Sequence, residues 1–224
     1  MVLKTKAKSS GSSKIKKGSR FLEKKLLKEK RLFDAAYELF ISKGINDTSI
    51  DDIVKKAGVA KGTFYLYFKN KYDIIDRIII KKSLSIIKEA LEYTMSKEKD
   101  DFIESVLCFT DYIIEYLKDN KRLLRLIHKN LSWGIFRKAL TSSTQTVDIE
   151  NIRTAFNEAL IKGDVDEKEF EKRLFMIIEL TSTVCYSSII LGEPYSIGEM
   201  KECLFDVISK ILQPLVKNST CTVV

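Results

Sequence analysis

Side chains capable of covalent chemistry are few in this 224-residue chain, and their spacing does not suit catalysis. His128 is the one histidine, so a histidine-pair metal site cannot form within one chain, and the two E-x-x-H units of a di-iron bundle are missing. A serine nucleophile would want a strand-to-helix elbow such as G-x-S-x-G, and no such string occurs. Cys108, Cys185, Cys203 and Cys221 are scattered, with no C-x-x-C pair. The expectation is a protein that is not an enzyme, with no metal and no cofactor. The spacing that does suggest chemistry is "AGVAKGTFYLYFKNK", Ala57 to Lys71, where five bulky residues sit between lysines.

Those five residues read as a strand by composition, because aromatics favour strands. The flanking sequence points to a helix instead. On a helix from Lys61 to about Phe68, Phe64 and Phe68 are four apart and share an inward face. Lys61, Gly62, Thr63, Tyr65 and Leu66 then lie elsewhere on it. Before it, Ser49 is placed as N-cap of a short helix with Asp52 three residues on, and Ile50, Ile53, Val54 and Ala57 form that helix's inner face. Gly58 supplies a turn. Two short helices joined by a tight glycine turn, in basic surroundings, fit a helix-turn-helix.

Charge agrees with that assignment. Residues 1–71 carry 18 Lys+Arg against 7 Asp+Glu, whereas residues 72–224 carry 21 against 24. A basic third joined to a slightly acidic remainder suggests that the N-terminal part meets a polyanion. Six of the lysines precede residue 18, yet residues 20–71 alone remain at +5.

The elements that must position this region are helical throughout. Two prolines and nine glycines leave few breaks, and apolar residues recur at three- and four-residue spacing, so the fold class is all-α. Residues 1–19, rich in Ser, Lys and Gly, are expected to be a disordered basic arm. A first helix covers about Arg20 to Lys43 and stops at Gly44. A fourth follows Asn70, with Asp73 in its first turn and Ile74, Ile75, Ile78, Ile79, Ile86, Ile87 and Leu91 inside. A fifth covers about Asp101–Lys118, with Phe102, Val106, Phe109, Ile113 and Leu117 internal. Shorter helices are expected at about 122–131, 133–140 and 149–161, and two long ones at 167–191 and from Ser196, capped by Glu199, to Val216. No run approaches eighteen apolar residues, so no membrane-spanning segment is expected, and with free, mostly buried thiols the chain reads as cytoplasmic.

The string "LFDAAYELFISKGINDTSIDDIVKKAGVAKGTFYLYFKNKYDIIDRI" resembles the DNA-binding domain of the TetR (tetracycline repressor-like) family of transcriptional regulators, over roughly residues 31–79. The resemblance implies an N-terminal helix-turn-helix DNA-binding domain, residues 20–71, followed by a larger helical effector-binding and dimerisation domain, residues 72–224. It implies base readout by Lys61, Gly62, Thr63 and Leu66, and phosphate contacts from Ser49, Tyr65, Tyr67 and Lys71. Asp51 departs from the pattern, standing where several members place a basic residue.

By the same resemblance the chain is a homodimer, pairing through helices about 167–191 and 196–216. There Ile178, Thr181, Ser182, Cys185, Ser188 and Ile189 would meet Leu204, Val207, Ile208 and Ile211, the alternative being that both helices only close the chain's own bundle. The partners implied are a double-stranded, palindromic DNA operator and a small-molecule effector of unknown identity. Phe109, Tyr112, Tyr116, His128, Trp133 and Glu179 are candidate effector contacts, with Tyr186 a further aromatic near them. Glu179, a carboxylate inside an apolar helix, either favours a cationic ligand or caps a polar stripe at the dimer seam. Expected function is therefore a ligand-responsive regulator acting as a repressor; the rival from another class is a non-specific DNA-packaging protein, which shares the basic third but has no need of a large bundle.

Overall fold

The computed structural model describes residues 11–97, 99, 101–130 and 167–217, all of its regular elements being helices. They divide into two compact units, Met1–Ile75 and Asp76–Val224. The expected helices at 133–140 and 149–161 lie outside the described residues, as do residues 1–10 of the expected arm.

The first unit holds α1 (Gly11–Lys43), α2 (Ile50–Ala57), α3 (Lys61–Tyr65) and the start of α4 (Lys71–Met95). α1 begins nine residues earlier than the expected Arg20, so residues 11–19 are helical rather than a disordered arm. Lysine is a good helix former, and once the apolar stripe further along nucleates the helix, such residues propagate it. That stripe is Leu32, Ala35, Ala36, Leu39 and Phe40, all buried. It packs on Ile53, Val54 and Ala57 of α2, and Phe64, Phe68, Ile74 and Ile75 complete the core. Thr48, wholly buried, donates its hydroxyl to the Gly44 carbonyl at 2.7 Å. Lys56–Glu38 (2.8 Å) and Lys43–Asp52 (3.9 Å) join α2 to α1 at the surface, where such pairs stabilise little.

The second unit holds the rest of α4, then α5 (Phe102–Asp119), α6 (Lys121–Asn130), α7 (Glu167–Cys185) and α8 (Ile197–Lys217). Asp101 caps α5 by accepting from the Glu104 amide at 2.8 Å. Ser196 and Glu199 form the expected reciprocal cap on α8, the Ser196 amide donating to Glu199 at 3.0 Å. The α5 stripe differs from expectation: Thr110, Ile114 and Leu117 are fully buried, while Val106, Phe109 and Ile113 are only half-buried. α5 is packed against α6, α7 and α8, so its most enclosed face points among those neighbours rather than along a single amphipathic stripe. Lys201 on α8 is held by Asp111 and Glu115 of α5. Burial alone would lower its pKa, but hydrogen bonds to the two carboxylates outweigh that and keep it above the usual lysine value.

α7 runs into one π-helical turn, Tyr186–Leu191, closed by Gly192 in the left-handed region at φ 75°. Together they give a 24-residue helix, Lys168–Leu191, with a window of mean hydropathy 1.8, long and apolar enough by composition to cross a membrane. The sequence expectation of no such segment overlooked it, because scattered charges break the run without much lowering its average. The window is 28% buried in its own bundle. Cys185, fully buried, has its thiol pushed up to about 12 by desolvation, which keeps it a neutral, inert group.

Candidate nucleic-acid interface and effector cavity

The α2–turn–α3 surface is built from the cap upward. The Ser49 hydroxyl accepts from the Asp52 amide at 3.1 Å, and the Ser49 amide donates to the Asp52 carboxylate at 3.0 Å. The Ser49 hydroxyl also donates to that carboxylate at 2.8 Å. Hydrogen bonds from the Ser49 backbone and then its side chain hold Asp52 below the usual carboxylate range. Gly58 ends α2 at φ 66°, a conformation that costs an L residue with a Cβ roughly 1–2 kcal/mol. α3 is shorter than the expected 61–68, ending at Tyr65 with Leu66 as its C-cap. Phe68 still reaches the core, since its amide donates to the Phe64 carbonyl at 2.9 Å and continues the winding.

Phe64 and Phe68 are almost wholly enclosed, while Tyr65 is 54% and Leu66 78% exposed. An apolar side chain as open as Leu66 has no role in the chain's own core. Lys61 and Gly62 are exposed, and Thr63 is half-buried. A Cβ added at Gly62 would meet nothing within 4 Å, so the fold does not itself require glycine there.

Three polar groups are engaged in ways the spacing did not reveal. Lys61 Nζ sits 2.9 Å from each oxygen of Asp51, and the bond to Asp51 raises the lysine's pKa. The residue that departed from the family pattern is thus the partner of a residue expected to read bases. The Tyr67 hydroxyl donates to the Lys25 carbonyl of α1 at 3.0 Å. Lys71 Nζ donates to the Ile45 carbonyl at 2.7 Å and to Asn46 at 3.4 Å, tying α4 to the loop after α1. Ser49 is exposed but committed to its cap.

In the second unit a cavity of about 210 Å³ lies among α4, α5, α6 and α7. Of the expected effector contacts, Phe109, His128 and Glu179 line it. His128 Nδ1 is 3.2 Å from the Ser182 hydroxyl, and its ring stacks on Tyr186 at 4.1 Å and 13°. Glu179 is exposed rather than inside the bundle, so it stands at the cavity's edge. Tyr112 and Tyr116 do not line the cavity. They form a ladder with Tyr93, at 5.1 Å and 6.4 Å between centroids, and the Tyr112 hydroxyl donates to Glu89 at 3.4 Å. Burial, then the Glu89 charge, raises the pKa of both phenols. Trp133 lies outside the described residues. Sequence reasoning missed Ser83 and Ile86 on α4 and Thr181 and Ser182 as lining residues. Their one signal was small polar residues at helical spacing among isoleucines, which reads equally well as helix packing.

Of the residues expected at a dimer seam, Thr181, Cys185, Ser188, Ile189, Leu204 and Ile208 are buried within the chain itself. Those six close the chain's own bundle. Phe175 (40%), Met176 (44%), Leu191 (57%) and Val207 (36%) are large apolar residues that these two helices leave exposed between Lys168 and Lys210. Among the described residues no group of three or more His, Cys, Asp or Glu could hold a metal ion.

Capped α2, the left-handed glycine and an α3 anchored by two phenylalanines make a helix-turn-helix of the DNA-binding class. Residues 32–78 match the family model of bacterial regulatory proteins, tetR family. Over those residues the chain is similar to the DNA-binding domain of tetR-family regulators. It is 29% identical over 147 residues to the uncharacterized HTH-type transcriptional regulator YvdT of Bacillus subtilis, covering 57% of this chain and 75% of that one. It is 35% identical over 83 residues to the fatty acid metabolism regulator protein of Bacillus subtilis, covering 37% and 39%. Its fold is similar to that of FadR from Bacillus subtilis, solved in complex with stearoyl-CoA, at a TM-score of 0.54 and 21% identity over 80% of this chain and 97% of that one.

Proposed function

We propose that this protein is a ligand-responsive repressor that reads a palindromic operator as a homodimer and is released by a small molecule held in the α4–α7 cavity. The observation that carries the reading is the outer surface of α3. Lys61, Gly62, Tyr65 and Leu66 are presented outward by a helix whose opposite side is locked by Phe64 and Phe68. Lys61, Gly62, Thr63 and Leu66 meet base edges, while Ser49, Tyr65, Tyr67 and Lys71 position the backbone. Tyr67 and Lys71 reach phosphate by exchanging or sharing their present carbonyl partners. The functional division falls near residue 71, with the reader before it and the effector and pairing part after it.

Pairing is proposed through the outer face of α7 and α8, where Phe175, Met176 and Val207 are exposed. On a two-fold dimer the two α3 helices stand about 34–36 Å apart, one turn of DNA. Effector binding favours a spacing that no longer fits, and α4, which lines the cavity at Ser83 and Ile86 and begins three residues after Phe68, is the connecting element. The cavity wall is mainly isoleucine, leucine, valine and phenylalanine, so the effector presents a largely apolar body.

The test is selection of bound duplexes from a random DNA pool at two salt concentrations. A palindromic site with a steep salt dependence supports the reading. Enrichment of no sequence, with binding that fades as salt rises, overturns it in favour of DNA packaging.

A further inference from the structure

Hydroxyls inside helices normally satisfy themselves. In this chain Thr110 donates to the Val106 carbonyl at 2.8 Å, Thr94 to Ala90 at 2.8 Å and Ser209 to Phe205 at 2.8 Å. Ser83 on α4 and Thr181 on α7 do not. Both are buried, at 6% and 8% exposure, both line the cavity, and neither hydroxyl has a hydrogen-bond partner among the described residues. Thr110 lines the same cavity and is satisfied by its own helix, so the difference is not a property of the environment as a whole. A buried, unpaired hydroxyl is costly enough that native structures rarely keep one without a use.

We infer that Ser83 and Thr181 are the hydrogen-bonding contacts for the effector, and that the part of the effector they hold is an uncharged oxygen group, a hydroxyl or carbonyl, on a compact apolar body. The inference deepens the cavity's proposed role as effector site and rests on it. Three features set the chemical class. A hydroxyl offers one donor and two acceptor positions, which suits an alcohol, phenol, ketone or ester oxygen. A charge brought to this place would lose its water with only neutral hydroxyls to replace it, because Glu179 stands exposed at the edge and His128 is engaged with Ser182 and Tyr186. At about 210 Å³ the space exceeds the roughly 150 Å³ that admits benzene, so a substituted ring or a short branched chain fits.

The test uses the full-length protein and four probes of one shape: p-xylene, p-cresol, 4-methylbenzoate and 4-methylbenzylamine. Affinity is measured by calorimetry and by shift of the thermal midpoint. p-Cresol should bind about 10-fold more tightly than p-xylene, and both charged probes more weakly than p-cresol. Ser83→Ala and Thr181→Val should each reduce the preference for p-cresol over p-xylene while leaving p-xylene binding unchanged, which also shows that the variants fold. Equal binding of p-cresol and p-xylene, as when a trapped water satisfies the hydroxyls, overturns the assignment but leaves the cavity a ligand site. Tightest binding of either charged probe overturns the neutral class. Binding of none of the four overturns the inference together with the cavity's role, while the DNA selection above still decides whether the chain reads an operator.

Discussion

Thr48 and Thr181 are both buried threonines, one in each unit, and they are treated in opposite ways. Thr48 closes the loop after α1 through a 2.7 Å bond to Gly44, whereas Thr181 keeps its hydroxyl unpaired on the wall of a cavity. The first unit is finished: its α2 cap is reciprocal and its aromatic anchors are enclosed, with contact groups facing outward. The second leaves polar groups inside without partners, an arrangement that a bound molecule would complete. The contrast teaches that a DNA-reading surface and a ligand-reading interior are recognised by different signs, exposure of apolar and basic groups in one case and lack of satisfaction in the other.

Breaking the first unit should have the largest effect. Phe64→Ala removes a wholly buried ring and should destabilise by about 3–5 kcal/mol in a urea titration followed by circular dichroism, with loss of operator binding. Next come the contacts. Thr63→Ala or Lys61→Ala should cost about 1–3 kcal/mol on the selected operator and relax its sequence preference in a binding titration, whereas Lys71→Ala should weaken all duplexes about equally. Asp51→Asn, which removes a negative charge from the surface and unties Lys61, should strengthen binding to every duplex and increase its salt dependence. An equal loss for Thr63→Ala and Lys71→Ala on all DNA would erase the division between base readers and positioners.

The threonine pair offers a sharper and smaller test. Thr48→Val should destabilise by about 1 kcal/mol, while Thr181→Val, which removes an unsatisfied group, should stabilise by about that amount in the absence of ligand. Matching signs in the two unfolding curves would end the comparison. The smallest effect concerns acid. Because Asp52 is held below the ordinary carboxylate value, its contribution is complete above that value and is lost as pH falls through the lowered folded pKa. Asp52→Asn should therefore flatten the stability profile below about pH 4 and lower stability at neutral pH, where the carboxylate's contribution is complete.

Most of the first unit was legible from residue order alone. The Ser49–Asp52 cap, the Gly58 turn and the inward pair Phe64 and Phe68 each follow from local spacing, and all three stand as read. What spacing could not show were contacts that close over distance: Tyr67 to Lys25, Lys71 to Ile45 and Lys61 to Asp51. In the second unit the loss is greater, because a helix packed on several neighbours has no single buried stripe. Val106 and Ile113 looked like core and are cavity wall, Phe109 lines the cavity as an expected effector contact, and Tyr112 and Tyr116 looked like pocket and form a separate ladder. Glu179 looked interior from its apolar neighbours and is exposed. An average over a helix says how apolar it is, not which side is covered.

The stack of His128 on Tyr186 has a practical consequence. With one histidine in the chain, the imidazole gives a single pair of carbon-bound proton signals in a nuclear magnetic resonance spectrum. A phenol ring 4.1 Å away and almost parallel displaces those signals by its ring current. Any molecule entering beside His128 that tilts the pair will move them, so the protein carries its own unlabelled indicator of an occupied cavity.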